Sequence, residues 1–338
     1  MHMADALLSP AVGGVMLAAS AGAIGYAVKK TANIGDDRKI PIMGVLGAFV
    51  FAGQMINFTI PGTGSSGHIG GGILLAAVLG PYPALLTLAS VLLIQCLFFA
   101  DGGLLAYGCN VFNMGVIACF FAYSLIFKPI VKGGLSKGRI VFASILAVVA
   151  GLQAGAFCVV LETLFSGVTE LPFKTFVLLM QPIHLAIGIV EGLVTAAVLC
   201  YVHAIRPELL DSAEGSAPVP AGIPLKKTVI SFIALAAITG GLLSIFASAY
   251  PDGLEWSMEK TAGTAELERE GAVYEAASSV VEAAAFMPDY GFPNEEEGGP
   301  LGTAAAGIIG SGITVLIAGG IGVLIRLGRN RRNKAQAA

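Results

Sequence analysis

The chain has 338 residues, of which 56% are hydrophobic and only 12% are charged, whereas roughly 25% of the residues of a soluble domain are charged. This composition excludes a soluble globular protein and predicts an all-α, polytopic integral membrane protein. The net charge of −3 also excludes a nucleic-acid binder that neutralises phosphates, because such a protein needs a basic face.

Apolar segments long enough to span a membrane recur along the whole chain. A spanning helix needs roughly 20 apolar residues, and segments near or above that length occur at residues 6–28, 40–57, 84–100, 104–127, 140–164, 173–203, 228–250 and 303–327. A shorter apolar segment, residues 69–80, begins in a glycine triplet and ends before a proline. We expect it to form either a short helix or a re-entrant segment packed inside the protein. Together these segments predict nine spans.

The lysine and arginine residues predict the orientation of these spans. With the N-terminus outside, sixteen of them fall in inner loops and three in outer loops, namely Lys174, Lys260 and Arg269. This asymmetry follows the positive-inside rule, and omitting the short segment would move the basic cluster at residues 128–139 to the wrong face. We therefore expect the N-terminus and the segment around His68 on the outer face and the C-terminus inside.

A stretch rich in Pro, Ala, Ser and Gly divides the chain into two parts. We interpret residues 207–226 as an inner linker between a seven-helix bundle at residues 1–206 and a two-helix unit at residues 227–338. The outer loop of the second unit, residues 251–302, carries twelve acidic and two basic residues. Such a loop is typical of a solvated, partly helical segment that serves solubility or concentrates cations.

The start of the chain offers a chelating set of nitrogen atoms. The Met1 amino group, the His2 backbone nitrogen and the His2 imidazole are close enough along the chain to bind one metal ion in fused chelate rings. Amine, deprotonated amide and imidazole donors suit square-planar Ni(II), Cu(II) or a Co(II) analogue. We expect the bulky His2 side chain to protect Met1 from removal, and the start lacks the basic segment of a cleavable signal peptide. One in-plane position remains for a further ligand.

His68 is the natural candidate for that position. The chain has only four histidines, which are His2, His68, His184 and His203. His68 follows the sequence G-S-S-G, and a flexible glycine-rich loop lets its imidazole approach a buried chain end. Asp5, Ser65 and Ser66 are the candidates for groups that hold the imidazoles in the required tautomer. Each histidine alone is weak evidence, but their shared face favours a site formed by Met1, His2 and His68.

His184 and Glu191 form a second candidate pair. They lie seven residues apart in an apolar segment, which places both on one face of a helix. Ionisable groups inside a membrane are candidates for function. The alternative is a hydrogen bond between helices that fixes the bundle, and both interpretations remain open at this point.

Two further patterns limit the function. Small residues recur at helical spacing at Gly44, Ala48 and Ala52, which permits close packing within the bundle or against another membrane subunit. The sequence has neither a G-x-x-x-x-G-K-[ST] phosphate loop nor an H-E-x-x-H zinc-protease motif. We therefore expect no enzymatic activity and no ATP hydrolysis by this chain.

Several motifs occur in the order in which a known family has them. They are M-H-M-A-D at the start, G-S-S-G-H ending at His68, F-A-D-G-G-L at residues 99–104, N-V-F-N-M-G at 110–115 and the segment 182–191. Together they resemble the substrate-binding component of nickel/cobalt energy-coupling-factor transporters, the CbiM/NikM family, over about residues 1–206. The sequence P-D-G-L-E at residues 251–255, with its flanking helices, resembles the small accessory subunit of the same systems.

This resemblance implies a helical bundle whose free chain end dips inward and binds the metal through Met1, His2 and His68. It implies high-affinity uptake of Ni(II) across the cytoplasmic membrane of a prokaryote, with no cofactor besides the transported ion. The implied partners are a transmembrane coupling subunit, two ATP-binding-cassette ATPase subunits and membrane lipid. The fused accessory unit favours Ni(II). The alternatives are uptake of Co(II) for cobalamin synthesis, a vitamin-type permease and a metal receptor that does not transport.

Overall fold

The computed structural model describes residues 1–34, 36–213, 226–292 and 299–337. The helices in these residues are α1 (Pro10–Ile34), α2 (Lys39–Gln54), α3 (Gly72–Leu79), α4 (Pro81–Phe99), α5 (Tyr107–Asn110), α6 (Lys128–Val131), α7 (Lys137–Phe165), α8 (Phe173–Ile205), α9 (Pro207–Ala213), α10 (Lys226–Gly241), α11 (Gly253–Ala262), α12 (Ala272–Ala284) and α13 (Pro300–Ala337). A π-helical segment, Val111–Phe127, joins α5 to α6 in one continuous helix. Short 3-10 turns lie at Asp5–Leu7, Leu243–Phe246 and Pro288–Tyr290.

The predicted all-α membrane architecture is confirmed. In the described part of the chain, seven helices are long and apolar enough to cross a membrane, and α2 is a shorter apolar helix. Each of the nine predicted apolar segments coincides with a helix. The short segment at residues 69–80 is the helix α3, whose eight residues are all buried. Gly71 and Gly80 bound it with φ angles of 77° and 84°, which glycine adopts without steric cost.

The loop between α2 and α3 is ordered, in contrast to the flexible glycine-rich loop expected from the sequence. Strands β1 (Phe58–Ile60) and β2 (Ser65–Gly67) form an antiparallel hairpin. Gly62 and Gly64 in its turn have φ angles of 78° and 75°, in the left-handed region that favours glycine. The glycines therefore serve a tight turn, and the hairpin fixes the position of the following His68.

The small-residue face of α2 packs against the C-terminal helix of the same chain. A β-carbon added to Gly44 would lie 3.0 Å from the backbone oxygen of Val315 on α13. Further along α2, the hydroxyl of Ser311 donates to the backbone oxygen of Ala48 at 3.1 Å. This face of α2 therefore serves packing within the chain.

The two ends of the bundle differ in chemistry. At one end, Met1, the β-hairpin and residues 248–292 contact one another, and we call this end the site face. At the opposite end, Asp37 forms ion pairs with Arg326 at 3.2 Å and with Arg329 at 2.7 Å. These ion pairs tie the end of α13 to the loop before α2.

The predicted linker and acidic loop are described in part. Within residues 207–226, α9 forms the first seven residues and α10 begins at the last, while residues 214–225 lie outside the described residues. The acidic loop, residues 251–302, contains α11 and α12, and its residues 293–298 also lie outside the described part. Leu254 and Met258 of α11 are buried. This helix therefore packs on the bundle, whereas the sequence indicated a solvated segment.

Candidate metal-binding site

The first residues of the chain lie in the mouth of the bundle, where Met1 and Met3 are buried. The side chain of Asn110 accepts the N–H of Met3 at 2.8 Å and donates to the backbone oxygen of Met3 at 3.2 Å. The N–H of Gly103 donates to the same oxygen at 2.9 Å. A primary amide offers both a donor and an acceptor. The Asn110 side chain therefore pairs with both backbone groups of Met3, as the backbone of an adjacent β-strand does. These contacts fix where Met1 and His2 lie.

Two glycines leave room for the N-terminal segment. A β-carbon on Gly103 would lie 1.8 Å from a carboxylate oxygen of Asp5, and one on Gly102 would lie 2.9 Å from the Asn110 amide nitrogen. Gly102 also has a φ of 84°, which disfavours any residue with a side chain. The two glycines of the F-A-D-G-G-L motif therefore have no side chain where the N-terminal segment packs against them.

The amino group of Met1 lies between an imidazole and a carboxylate. Its nitrogen is 3.4 Å from Nε2 of His68 and forms an ion pair with Oδ2 of Asp252, and the two paired residues are 5% and 15% exposed. Nδ1 of His68 lies 3.0 Å from the backbone oxygen of Ile69. Because a carbonyl oxygen only accepts hydrogen bonds, Nδ1 carries the proton. The lone pair of Nε2 therefore faces the amino group.

The imidazole of His2 stacks on that of His68. The ring centroids are 5.3 Å apart, and the ring planes differ by 20°. Nδ1 of His2 lies 3.3 Å from a carboxylate oxygen of Asp101, and Gln95 is a further polar neighbour of the ring. The structure thus brings the three predicted ligand residues, Met1, His2 and His68, into one cluster.

Burial disfavours the charged form of both imidazoles. It lowers the pKa of His68 to about 3, with further lowering by the positive Met1 amino group and by His2. Burial also lowers the pKa of His2, although the Asp101 carboxylate acts in the opposite direction. For Asp252, burial raises the pKa, but the positive Met1 amino group and its hydrogen bond outweigh burial and hold the pKa below its ordinary range. The cluster therefore combines neutral imidazoles, the form that binds metals, with one ammonium–carboxylate pair.

The P-D-G-L-E sequence places Asp252 at the start of α11. Oδ1 of Asp252 accepts the N–H groups of Leu254 at 2.7 Å and Glu255 at 3.0 Å. In return, the Glu255 carboxylate accepts the N–H of Asp252 at 2.9 Å, which completes a capping box. Asp252 therefore acts both as a helix cap and as the partner of the amino terminus.

Ser65 and Ser66 hold the accessory segment. The N–H of Ser66 donates to the backbone oxygen of Pro251 at 2.8 Å, and its hydroxyl donates to that of Tyr250 at 2.7 Å. The Ser65 hydroxyl donates to the backbone oxygen of Pro251 at 3.4 Å and to that of Ser66 at 3.2 Å. Neither serine has a hydrogen bond to an imidazole in the part of the chain that the structure describes.

Asp5 binds backbone as well. Its carboxylate accepts the N–H of Ala106 at 2.9 Å. Burial raises the pKa of this carboxyl, and backbone hydrogen bonds from residues 104–106 act in the opposite direction. Asp5 therefore anchors the N-terminal segment to the residues before α5, and it does not orient an imidazole directly.

His184 and Glu191 line a cavity behind the amino terminus. Met1, His68 and Asp252 also line this cavity. The second candidate pair therefore lies next to the Met1 cluster, on the bundle side of it.

Both residues of that pair are bound to backbone groups. The Glu191 carboxylate accepts the N–H of Gly71 at 3.0 Å, which holds the loop just after His68. Nδ1 of His184 bonds the backbone oxygen of Met180, one turn earlier in α8, at 2.8 Å. Among the described residues, no group of three or more His, Cys, Asp and Glu side chains is suited to a metal ion. A site that uses the amino group and a backbone nitrogen therefore remains the candidate.

Two residues of the cluster, Asp101 and Asp252, were not among the candidates from the sequence. Each is the aspartate of a motif named above, F-A-D-G-G-L and P-D-G-L-E, and each precedes a glycine. That shared pattern was the available signal. Nothing in the sequence shows that these two turns meet the start of the chain.

Comparisons with known families agree with this architecture. Residues 2–209 match the family described as the cobalt uptake substrate-specific transmembrane region, CbiM, and residues 226–327 match the PDGLE domain. The fold and the cluster at its mouth define a multi-pass membrane protein with a fused accessory unit. The chain belongs to the CbiM family and carries a PDGLE domain.

Several relatives are named as metal transport proteins, in agreement with the expectation of a transport component that is not an enzyme. A putative fused nickel transport protein of Archaeoglobus fulgidus is 30% identical and matches over 94% of this chain and 96% of its own. A putative metal transport protein of Haloquadratum walsbyi is 36% identical over 62% of this chain and 93% of its own. A solved structure described as a truncated transition metal transporter has 32% identity and a TM-score of 0.54, and covers 61% of this chain and 99% of its own.

Proposed function

We propose that this chain captures Ni(II) and carries it across the cytoplasmic membrane as the substrate-specific component of an energy-coupling-factor transporter. The observation that carries the proposal is the cluster of Met1, His2 and His68, in which the Met1 nitrogen is 3.4 Å from Nε2 of His68. The fused nickel transport protein of A. fulgidus, which matches 94% of this chain, supports nickel as the substrate. In this proposal the chain is a transport component and not an enzyme.

The proposed ligands are the Met1 amine, the His2 amide nitrogen, the His2 imidazole and the His68 imidazole. A chelate ring that includes the His2 amide nitrogen closes through Nδ1 of the same residue. On loading, Nδ1 of His2 therefore exchanges its contact with Asp101 for the metal, and Nε2 of His68 takes the remaining position. Nitrogen donors in a plane suit Ni(II), which favours square-planar and tetragonal geometries.

Transport needs energy that this chain does not supply, since its sequence has no phosphate loop. We therefore propose a transmembrane coupling subunit and two ATP-binding-cassette ATPases as partners. Sixteen of the nineteen basic residues support an orientation with the site face outside and the C-terminus in the cytoplasm. Residues 1–206 then form the metal-binding bundle, 207–226 the inner linker and 227–338 the accessory unit.

Co(II) is the second candidate substrate. The matching family is described by cobalt uptake, and a relative from Sorangium cellulosum, 31% identical, is named cobalt transport protein CbiM. Amine and imidazole nitrogens also bind Co(II), and the imported ion would then serve cobalamin synthesis. The choice between the two ions is therefore a matter for direct measurement.

The test is titration calorimetry with Ni(II) and Co(II) on detergent-purified protein. It compares the chain starting at Met1 with the same chain carrying a short Gly-Ser extension before Met1, and a Gly-Ser extension after the last residue is the control. We expect about one equivalent of tightly bound metal for the first and third forms and loss of binding for the second. The ion that binds more tightly identifies the substrate. Equal binding by all three forms would show that the ligands lie elsewhere, with His184 and Glu191 as the next candidates.

A further inference from the structure

We propose that Asp252 of the accessory unit is the counter-ion of the metal site, both in the empty protein and in the loaded one. This inference rests on the proposed function, because it takes the Met1 amino group as a metal ligand. Its basis is the ion pair between the Met1 amino group and Oδ2 of Asp252, which joins two residues 251 positions apart in the sequence.

The two carboxylate oxygens of Asp252 serve different partners. Oδ1 caps α11 by accepting the N–H groups of Leu254 and Glu255 at 2.7 and 3.0 Å. Oδ2 points away from the helix and meets the Met1 amino group. Because the cap fixes the side chain, α11 holds a negative charge against the chain end.

The segment that carries Asp252 is docked by contacts that do not involve Met1. On one side, the backbone oxygen of Pro251 accepts the N–H of Ser66 at 2.8 Å. On the other side, Nε1 of Trp256 donates to the backbone oxygen of Thr63 at 3.0 Å. Both partners belong to the β-hairpin that leads to His68. The position of the Asp252 carboxylate is therefore independent of the group that it neutralises.

Loading leaves the formal charge beside Asp252 unchanged. Without metal, the Met1 ammonium carries one positive charge between the Asp252 carboxylate and the acceptor nitrogen Nε2 of His68. When a divalent ion binds, the ammonium and the His2 amide N–H each release one proton to solvent, because the ligating atoms must be deprotonated. The double positive charge of the ion and the amide anion again sum to one positive charge. The carboxylate of Asp252 balances that charge in both states, which avoids an uncompensated charge in a buried place.

Two other carboxylates near the cluster have different contacts. Asp101 accepts a hydrogen bond from the Tyr290 hydroxyl and lies against His2. Glu255 accepts the N–H of Asp252. Among the described residues, Asp252 is the carboxylate that contacts the amino group. We therefore assign the counter-ion role to Asp252.

The experiment compares Asp252→Asn with Glu255→Gln in the full chain with its native start. Asparagine keeps the shape of Asp252 and is an equally good N-cap, so the first variant removes the charge and keeps the helix start. The second changes the other carboxyl group of the same turn, which does not contact the amino group, and glutamine keeps an acceptor oxygen for the N–H of Asp252. We expect Asp252→Asn to weaken Ni(II) binding about 10- to 100-fold, as for other groups that support metal ligands, and Glu255→Gln to change it little. The absorption spectrum of bound Ni(II) is expected to remain that of a planar nitrogen set.

Trp256 reports whether α11 stays docked, because it is the single tryptophan of the chain. We expect the same emission maximum for the wild type and Asp252→Asn, with and without Ni(II). A red-shifted maximum in the variant would show that Asp252 acts through docking of α11, and it would overturn the counter-ion role. A changed Ni(II) spectrum would overturn it as well, because Asp252 would then be a ligand. Equal affinity of the two proteins for Ni(II) would also refute it.

The chain extended before Met1 separates this inference from the proposed function. If the extended chain binds Ni(II) as the native one does, the proposed ligand set is wrong. If the extension abolishes binding and Asp252→Asn leaves the affinity unchanged, the ligand set stands and the counter-ion role alone fails.

Discussion

Gly253 and His184 approach so closely that a β-carbon on residue 253 would lie 3.1 Å from Cε1 of the imidazole. The contact joins the first turn of α11 to α8 of the bundle, next to the ion pair between Met1 and Asp252. It explains why glycine follows Asp252 in the P-D-G-L-E sequence. With a side chain at this position, α11 could not reach the depth at which Asp252 meets the amino group.

Replacing Gly253 by alanine is therefore expected to displace α11. The added β-carbon would also lie 2.8 Å from Cδ1 of Ile187, so several groups must move together. We expect a red-shifted Trp256 emission and a roughly tenfold weaker Ni(II) affinity, since the support of the ligands is disturbed. Gly312→Ala is the matched control in α13, because a β-carbon there meets nothing within 4 Å and alanine favours a helix. Unchanged emission and affinity in Gly253→Ala would contradict this account.

Asn110 is expected to be essential for the position of the chain end. Asn110→Ala removes both side-chain hydrogen bonds to the Met3 backbone. The Met3 oxygen keeps the hydrogen bond from Gly103, but the buried N–H of Met3 is left unpaired at a cost of about 1–3 kcal/mol, so we expect a lower unfolding temperature and weaker Ni(II) binding. Thermal unfolding in detergent and calorimetry measure the two effects. Asn33→Ala, at an exposed position of α1, is the control. Wild-type affinity in Asn110→Ala would show that Met3 is held by other contacts.

Helices were the predictable part of this protein. Apolar segments of spanning length have few alternatives in a membrane, because every backbone group must be satisfied within the segment. The β-hairpin was not predictable in the same way. Its strands have three residues each, too few for an alternating pattern to be recognised, and glycines in the turn suggested flexibility.

The candidate ligands were predictable from donor chemistry, and their partners were not. Met1 and His2 are adjacent in sequence, so their chelating atoms are evident from the sequence alone. The contacts of Asp101 and Asp252 with them depend on the packing of distant turns. Ser66 was interpreted as a partner of an imidazole because it precedes His68, whereas its hydrogen bonds go to backbone of the accessory segment.

Glu191 is expected to position the loop that carries His68. Its carboxylate accepts the N–H of Gly71, and Glu191→Ala leaves that buried N–H unpaired. We expect about tenfold weaker Ni(II) binding for Glu191→Ala. Glu191→Gln retains an acceptor oxygen and is expected to restore most of the affinity. If the alanine and glutamine variants are equally impaired, the charge of Glu191 matters and its hydrogen bond to the loop does not explain the effect.

Proton release on metal binding is expected to reflect the lowered pKa values of the imidazoles. Burial lowers the pKa of His68 to about 3, so this imidazole has already lost its proton at mildly acidic pH, and burial also lowers the pKa of His2. At pH 6 we expect about two protons released per Ni(II), from the amine and the amide. Acidification from pH 7 to 5 is expected to weaken binding because ligating atoms must be deprotonated, and His68, with its pKa of about 3, adds little to that loss.

Calorimetry in buffers of different ionisation enthalpy measures this proton count. A peptide with the sequence Met-His-Met-Ala-Asp, mixed with free imidazole, is the unburied control. Its imidazoles keep a pKa near 6.5 and are largely protonated at pH 6, so it is expected to release more protons per ion. If the protein and the control release the same number of protons per Ni(II), burial does not determine the protonation state of the imidazoles.

The ion pair between Met1 and Asp252 can form only late in the synthesis of the protein. The two residues are 251 positions apart, so a ribosome adding about 5–20 residues per second makes the second about 12–50 s after the first. For most of that interval the bundle itself is still being made, and until α11 follows it the amino terminus has no carboxylate partner from that helix. Insertion of the last two helices is then the maturation step that finishes the site. A nascent chain released before that step would carry Met1, His2 and His68 without the carboxylate of Asp252.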